Sequence, residues 1–357
     1  MSKVRGNVLD PLDTIDKYGT DALRFALSTD VSPGNDINLT AARLEAGRNF
    51  ANKLWNAARF VVRGIETEDI ALNIKREGLG VEERWILSRL SRTTASVVKL
   101  MESFQFGEAL RQLHDFIWGE FCDWYIEFAK IRLGDKDASP VPVLVYVLEA
   151  SLRLLHPFMP FVTEELWQNL KKRLPADWQK TESIMIAAYP EADEKAIDPE
   201  AERVMAAVIE IIHAIRNARA EHKVESNKWI EARVFAGELN PAIIPHAPAI
   251  ESLAKAKPVG FEEGRGEAKP NENVLALVLE SSEVIIPMES MVDLKAERKR
   301  LEGEIARSQA QIASLEDRLK DKAFLSKAPG GVVAKEREKL AERKGKLERL
   351  KEQLGRF

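Results

Sequence analysis

Cysteine is nearly absent from this chain of 357 residues, where Cys122 stands alone. A single thiol excludes an internal disulfide and a cysteine-rich zinc module, and it fits a reducing compartment best. Histidine is scarce as well: His114, His156, His213, His222 and His246 are the only five. None lies in a His-x-Gly-His signature, and no metal-ligand spacing stands out, so no metal is expected. There is no glycine-rich phosphate loop and no catalytic triad. No apolar run approaches the ~20 residues needed to span a bilayer. No basic stretch leads into an apolar one as in an export signal, so a cytoplasmic protein without membrane contact is expected. The chain has 45% hydrophobic and 31% charged residues, enough for two or three domains with a sizeable buried core.

Charge is unevenly spread. Residues 291–357 carry 18 Lys/Arg against 12 Asp/Glu, a local +6 in a chain whose net charge is −4. Either the tail meets a polyanion, or it is a solvated helix pair of the kind common in coiled coils.

The periodicity is mainly helical. Asp10 can cap a first short helix with Pro11 in its first turn, and Gly19 ends that turn. Ser32 to Asp36 form a loop. From about Ala41 to Arg63, the residues Leu44, Phe50, Leu54, Trp55, Ala58, Val61 and Val62 make one apolar face. Further helices are expected over about Val81–Phe104, Gly107–Leu133, Val143–His156, Phe161–Leu174 and Pro199–Val224, with a proline-marked wrap at 175–198. Short connections make these an antiparallel bundle. The period then changes: Trp229–Ala236, Lys257–Glu262, Val274–Glu280 and Glu283–Pro287 read as strands, and Pro241–Ala256 reads as a helix among them. In the tail, Leu294, Leu301, Ser308 and Leu315 alternate with Ile305, Ile312 and Leu319. A second seam runs through Val333, Leu340, Leu347 and Leu354 after Ala328-Pro329-Gly330-Gly331. Two arms of ~30 residues would each reach ~45 Å as an antiparallel hairpin within one chain.

Several segments carry a family resemblance. The opening Met1-Ser2-Lys3-Val4-Arg5-Gly6-Asn7, followed by Asp10-Pro11-Leu12-Asp13 and Asp16-Lys17-Tyr18-Gly19-Thr20-Asp21-Ala22-Leu23-Arg24-Phe25, resembles the second signature loop (KMSKS) of class I aminoacyl-tRNA synthetases. Within that class it is most similar to the valyl branch. The stretches Asn49 to Phe60, Leu155 to Trp167 and Ile215 to Glu221 resemble the anticodon-binding domain of the valyl, leucyl and isoleucyl group. Ala323 to Arg337 resembles the valyl coiled-coil arm; the isoleucyl branch typically ends in a cysteine-ligated zinc module, which one cysteine cannot build.

The resemblance runs in order along essentially the whole chain and implies four segments: 1–40, a signature-loop and stem-contact remnant of a catalytic domain; 41–224, a helical anticodon-binding domain; 225–290, a small α+β connector; and 291–357, a coiled-coil tRNA-binding arm. The fold class is thus mainly α. The resemblance further implies that the adenylate-forming and editing domains lie upstream of Met1. Met1, Ser2 and Lys3 would then touch ATP only together with that missing domain, Lys3 as the catalytic cation. Otherwise the opening is simply a basic terminus. No cofactor is expected for this chain alone.

The RNA candidates are Lys53, Asn56, Arg59 and Phe60 on the first long helix, a mixture of donors and a ring suited to unstacked bases. Phe50, Leu54, Trp55 and Ala58 of the same helix read as core, as do most of Phe116, Trp118, Phe121, Trp124, Tyr125 and Phe128. Arg216 and Arg219 either bond phosphates or form salt bridges. Arg318, Arg337 and Arg343 are the arm candidates. The expected partner is valine-accepting tRNA, bound by a monomer, with a separate N-terminal catalytic half as a further option. The competing readings are a split-enzyme subunit acting in trans and a non-catalytic coiled-coil scaffold.

Overall fold

The computed structural model describes residues 9–29, 37–66, 74, 76–175, 180–264, 273–291, 294–320 and 330–354. The chain divides into two compact units, Met1–Glu210 and Ile211–Phe357.

The first unit is helical. α1 (Pro11–Tyr18) starts as its sequence demands: Asp10 Oδ1 accepts from the Leu12 amide at 2.8 Å, and Gly19 follows the helix at φ 94°. α2 (Thr20–Ser28) then crosses α3 (Ala41–Glu66) closely. Gly47 permits that crossing, since a Cβ there would sit 2.7 Å from the Ala22 carbonyl oxygen. α4 (Val81–Glu102) and α5 (Phe106–Asp115) lead into a ten-residue π-helical stretch, Phe116–Tyr125, which passes into α6 (Ile126–Gly134). The sequence reads this span as one uninterrupted helix. Its wider turn sets Phe116 over Phe121 and Ile117 over Cys122, at i,i+5, and all four are buried. α7 (Val141–Leu155) runs through the middle, with Leu144, Leu148, Leu152 and Leu155 at 1% exposure or less. α8 (Pro160–Lys171) follows, and α9 (Pro199–Glu221) begins in this unit and ends in the second.

The corner between α7 and α8 is held by the opening segment. Both carboxylate oxygens of Asp21 accept from the first amides of α8, Val162 at 2.6 Å and Phe161 at 3.3 Å, while Arg24 donates to the Phe158 and Pro157 carbonyls. His156 stands 2.8 Å from Thr163 Oγ1, whose hydroxyl donates to the Met159 carbonyl, so His156 Nδ1–H is the donor of that pair. The wrap after α8 is tied down at intervals: Arg153 donates to the Ala188 carbonyl, Tyr189 to Leu154, and Ser91 to Asp193. At the far end of α4, buried Glu83 pairs with Arg132, which also holds Asp137 at 2.8 Å.

The second unit contains a four-stranded sheet in the order β2-β1-β4-β3. Its strands are β1 (Ile230–Phe235), β2 (Ala256–Phe261), β3 (Val274–Val278) and β4 (Glu283–Pro287). β1 pairs parallel with β2 and antiparallel with β4. The single helix expected between β1 and β2 is broken into α10 (Asn240–Ile243), a 3-10 turn at Ile244–His246 and α11 (Ala247–Ala254). Pro245 and Pro248 lack the amide an unbroken helix needs there. After α12 (Met288–Met291), α13 (Leu294–Lys320) and α14 (Gly330–Leu354) pack on each other. Residues 321–329 are too few to run back along a helix of ~40 Å, so the pair is antiparallel. Ile312 and Leu350 are buried between the two helices, and so is Ser308.

Candidate nucleic-acid interface

The apolar face of α3 packs inward through Phe50, Leu54, Ala57, Ala58 and Val61. Its opposite face therefore presents Asn52, Trp55, Asn56, Arg59 and Arg63, all exposed. Trp55 corrects the sequence expectation. It reads as core, yet 40% of its surface is open. One position beyond Leu54, it is turned about 100° from the buried stripe and lands on the rim.

The corner built by Asp21 and Arg24 brings α8 alongside this face. Between them lies a cleft of about 370 Å³ lined by Trp55, Ala58, Arg59, Val62, Arg63, Leu166, Asn169 and Arg173. A second depression of about 220 Å³ is lined by Asn56, Arg59, Phe60 and Arg63. Arg59 and Arg63, one helical turn apart, border both. Each depression has a ring at its edge, Trp55 in one and Phe60 in the other. Lys130 lies 5.7 Å from the Phe60 ring centre. Unpaired bases need this chemistry: a flat apolar surface, amide donors for base edges and guanidinium groups for phosphates or stacking.

Three of the four expected α3 residues, Asn56, Arg59 and Phe60, come together here. Lys53 does not join them. Its ammonium pairs with Asp123 at 2.5 Å and lies 5.2 Å from the Trp118 ring centre, beside the stack of Phe50, His114 and Trp118. Arg63, Asn169 and Arg173 were not anticipated. Arg63 was legible from the i,i+4 spacing to Arg59, but nothing local announces that α8 lies alongside α3.

Arg219 also departs from expectation. It is 8% exposed, and its guanidinium donates to the carbonyls of Lys228 (2.8 Å), Lys255 (3.1 Å) and Glu225 (2.9 Å). Neither a phosphate nor an acidic side chain is its partner in these bonds. Arg216 is exposed and donates to the Leu253 carbonyl at 2.9 Å. On the arm, Arg318, Arg337 and Arg343 are exposed, Arg343 donating to Gln311 across the pair. Lys344 bridges to Glu316 at 2.6 Å and holds its carboxyl below the usual carboxylate range. Met1, Ser2 and Lys3 lie outside the described residues.

Burial pushes the Cys122 thiol up to about 12, the reverse of an activated nucleophile. Among the described residues, no group of three or more His, Cys, Asp and Glu side chains is arranged to hold a metal. No helix among the described residues is long and apolar enough to cross a membrane.

Comparison with known proteins adds a lineage to this geometry. Residues 83–234 match the family described as the anticodon-binding domain of tRNA ligase, residues 293–357 the valyl tRNA synthetase tRNA binding arm, and residues 1–40 the class I tRNA synthetases (I, L, M and V). A valine–tRNA ligase of Dehalococcoides mccartyi is 51% identical over 352 residues, covering 98% of this chain and 40% of that protein. Those of Listeria innocua and Geobacillus stearothermophilus are 39% and 38% identical, over 94% and 99% of this chain and 38% and 40% of their own lengths. The chain thus spans about 40% of the length of the curated relatives it matches. Among solved structures, the LeuRS chain of an Agrobacterium radiobacter K84 complex with tRNA and LeuAMS aligns at a TM-score of 0.43 and 22% identity. It covers 56% of this chain and 23% of its own, a likeness too weak to carry an argument.

Proposed function

Because the chain belongs to the valine–tRNA ligase family and corresponds to the C-terminal portion of its members, we propose that it is the portion that holds valine-accepting tRNA while ATP-dependent chemistry proceeds elsewhere. The α3–α8 surface takes the unstacked anticodon bases. Trp55 and Phe60 supply stacking area, Asn56 supplies an amide donor, Asn169, whose NH2 is held by Glu165, supplies an amide oxygen, and Arg59, Arg63 and Arg173 supply the cations. The arm meets a second part of the same RNA through Arg318, Arg337 and Arg343. Arg216 remains a phosphate-contact candidate, Arg219 is left out because it braces the backbone, and Lys53 acts by positioning Trp118.

The observation that carries this reading is the pair of ring-edged depressions that share Arg59 and Arg63, on a helix that also packs the core of an anticodon-type bundle. Class I synthetases use ATP. In this chain, Met1, Ser2 and Lys3 would take part in that chemistry only beside a nucleotide-binding domain, whether joined in one polypeptide or supplied by another. The chain acts as a monomer in a reducing, cytoplasmic setting, its arm satisfied by pairing with itself.

The test is filter binding of valine-accepting tRNA over a salt series. Phosphate contacts on flexible RNA weaken binding by a log–log slope of about 0.7 per cation. Arg59→Ala with Arg63→Ala is expected to lower affinity at least tenfold at about 100 mM salt and to flatten the slope by about 1.4. Tight binding that ignores both salt and this pair of substitutions would contradict the proposal. Valine-dependent ATP–pyrophosphate exchange by the chain alone would contradict its division of labour.

A further inference from the structure

Two helices of the second unit end in a backbone conformation that suits glycine, and both end on lysine. Lys223, just past α9, has φ 53°, and Lys255, which caps α11, has φ 54° and ψ 45°. A side chain in this left-handed region brings Cβ against the neighbouring carbonyl, which is why glycine or asparagine usually stands there. Both lysines are exposed. Helix termination alone does not call for a long cation at either position.

Lys255 lies against Trp229. Its indole is 44% exposed, and the Lys255 ammonium lies 4.7 Å from the ring centre. Buried Arg219 braces the backbone on both sides of this pair. Its guanidinium holds the carbonyl of Lys228, immediately before Trp229, the carbonyl of Lys255 itself and that of Glu225, two residues after Lys223. The Lys255 carbonyl also accepts from the Ile230 amide at 3.2 Å, which fixes the strand that follows Trp229. The neighbouring carboxylate, Glu251, is engaged with Lys257 at 3.6 Å and with the Val259 amide. The other large hydrophobic residues exposed on the described part of this unit, Ile244 and Val278, belong to other elements. Trp229 is therefore an isolated flat ring with a lysine ammonium over it, not the centre of an apolar patch. That composition suits a nucleobase with its phosphate better than a protein partner, whose contacts centre on clustered apolar anchors.

We infer that Trp229 and Lys255, together with Lys223 at the end of the helix that carries Arg219, form a second RNA-contact platform on the α+β connector, where an unpaired nucleotide stacks on the indole and its phosphate meets the lysine ammonium. The inference rests on the tRNA-holding reading, but it uses residues that reading does not assign.

The test uses the full chain and valine-accepting tRNA, comparing Trp229→Ala, Trp229→Phe, Lys223→Gly and Lys255→Gly with the Arg59→Ala, Arg63→Ala pair. Glycine relieves the backbone at both lysine positions, so these variants are expected to melt at or above the wild-type temperature. Each should nonetheless bind tRNA more weakly, with the salt slope flattened by about 0.7. Trp229→Ala should weaken binding roughly tenfold, and Trp229→Phe should recover most of it. Should Trp229→Ala lose stability, the two glycine variants decide the matter. If all four bind within twofold of wild type while the Arg59, Arg63 pair loses affinity, the platform is overturned and the anticodon-surface reading stands. If wild type retains no tRNA, both fail together.

Discussion

At the scale of single residues, the molecule is governed by a few positions where chemistry and geometry leave one solution. Gly47 is one. Alanine would normally favour a helix interior by about 1 kcal/mol, but here its methyl would meet the Ala22 backbone at 2.7 Å. Because backbone yields less than a side chain, Gly47→Ala is expected to destabilise by about 1–3 kcal/mol despite the gain in propensity, read as a lower melting temperature. A melting temperature at or above wild type would mean that α2 can slide off α3 freely. His156 sets a pH dependence. Burial holds its imidazole below the ordinary value of 6.5, with Glu164 and Asp21 pulling the other way. The unfolded chain therefore takes up the proton first, and the stabilisation is complete above about pH 6.5 and lost as the pH falls. His213 shifts in the same direction, through burial and Arg216. Melting temperature should fall between about pH 7.5 and about pH 5.5, and His156→Gln should show a shallower fall. An identical pH profile for the variant would remove His156 from the account.

At the scale of elements, most of the fold could be read from hydrophobic period and punctuation. The α3 stripe, the α7–α8 corner with Pro157 and Pro160, and the four strands all lie within a few residues of where the sequence puts them. The departures have local causes. Periodicity does not separate a π-helical stretch from an α-helix when nearly every residue is apolar, as in Phe116–Tyr125. Trp55 reads as core because residue type outweighs one step of helical phase, and that misplacement hid half of the candidate surface. Arg173 and Asn169 enter it only through the tertiary corner that Asp21 and Arg24 stabilise, so no single-segment pattern could show them. In the arm, Leu350, three residues past the expected seam position Leu347, is buried, while Leu340 and Leu347 are half-buried. Ser308 occupies a buried seam position on α13, where its hydroxyl competes with the helix backbone. Ser308→Ala is expected to stabilise the arm by about 0.5 kcal/mol, seen as roughly twofold slower amide exchange across α13 and α14 in the whole chain. Faster exchange would mean that the hydroxyl holds the pair together.

At the scale of the whole molecule, the proposal assigns the described surfaces different parts of gripping one large polyanion. The bundle offers shaped depressions with rings and guanidinium groups, suited to unstacked bases, and the arm offers exposed arginines on a rigid antiparallel pair. Net charge conceals this, since the chain as a whole is negative while its last 67 residues are positive. On the proposed reading, the two ring-edged depressions bordered by Arg59 and Arg63 are what set this chain apart from a scaffold that merely dimerises. The direct measurement is nuclease protection of end-labelled valine-accepting tRNA by the full chain at low ionic strength. Protection concentrated in the anticodon loop, and lost there when Arg59 and Arg63 are both replaced by alanine, is the expected result. An anticodon loop cut equally with and without protein, under conditions where the tRNA is bound, would contradict the account.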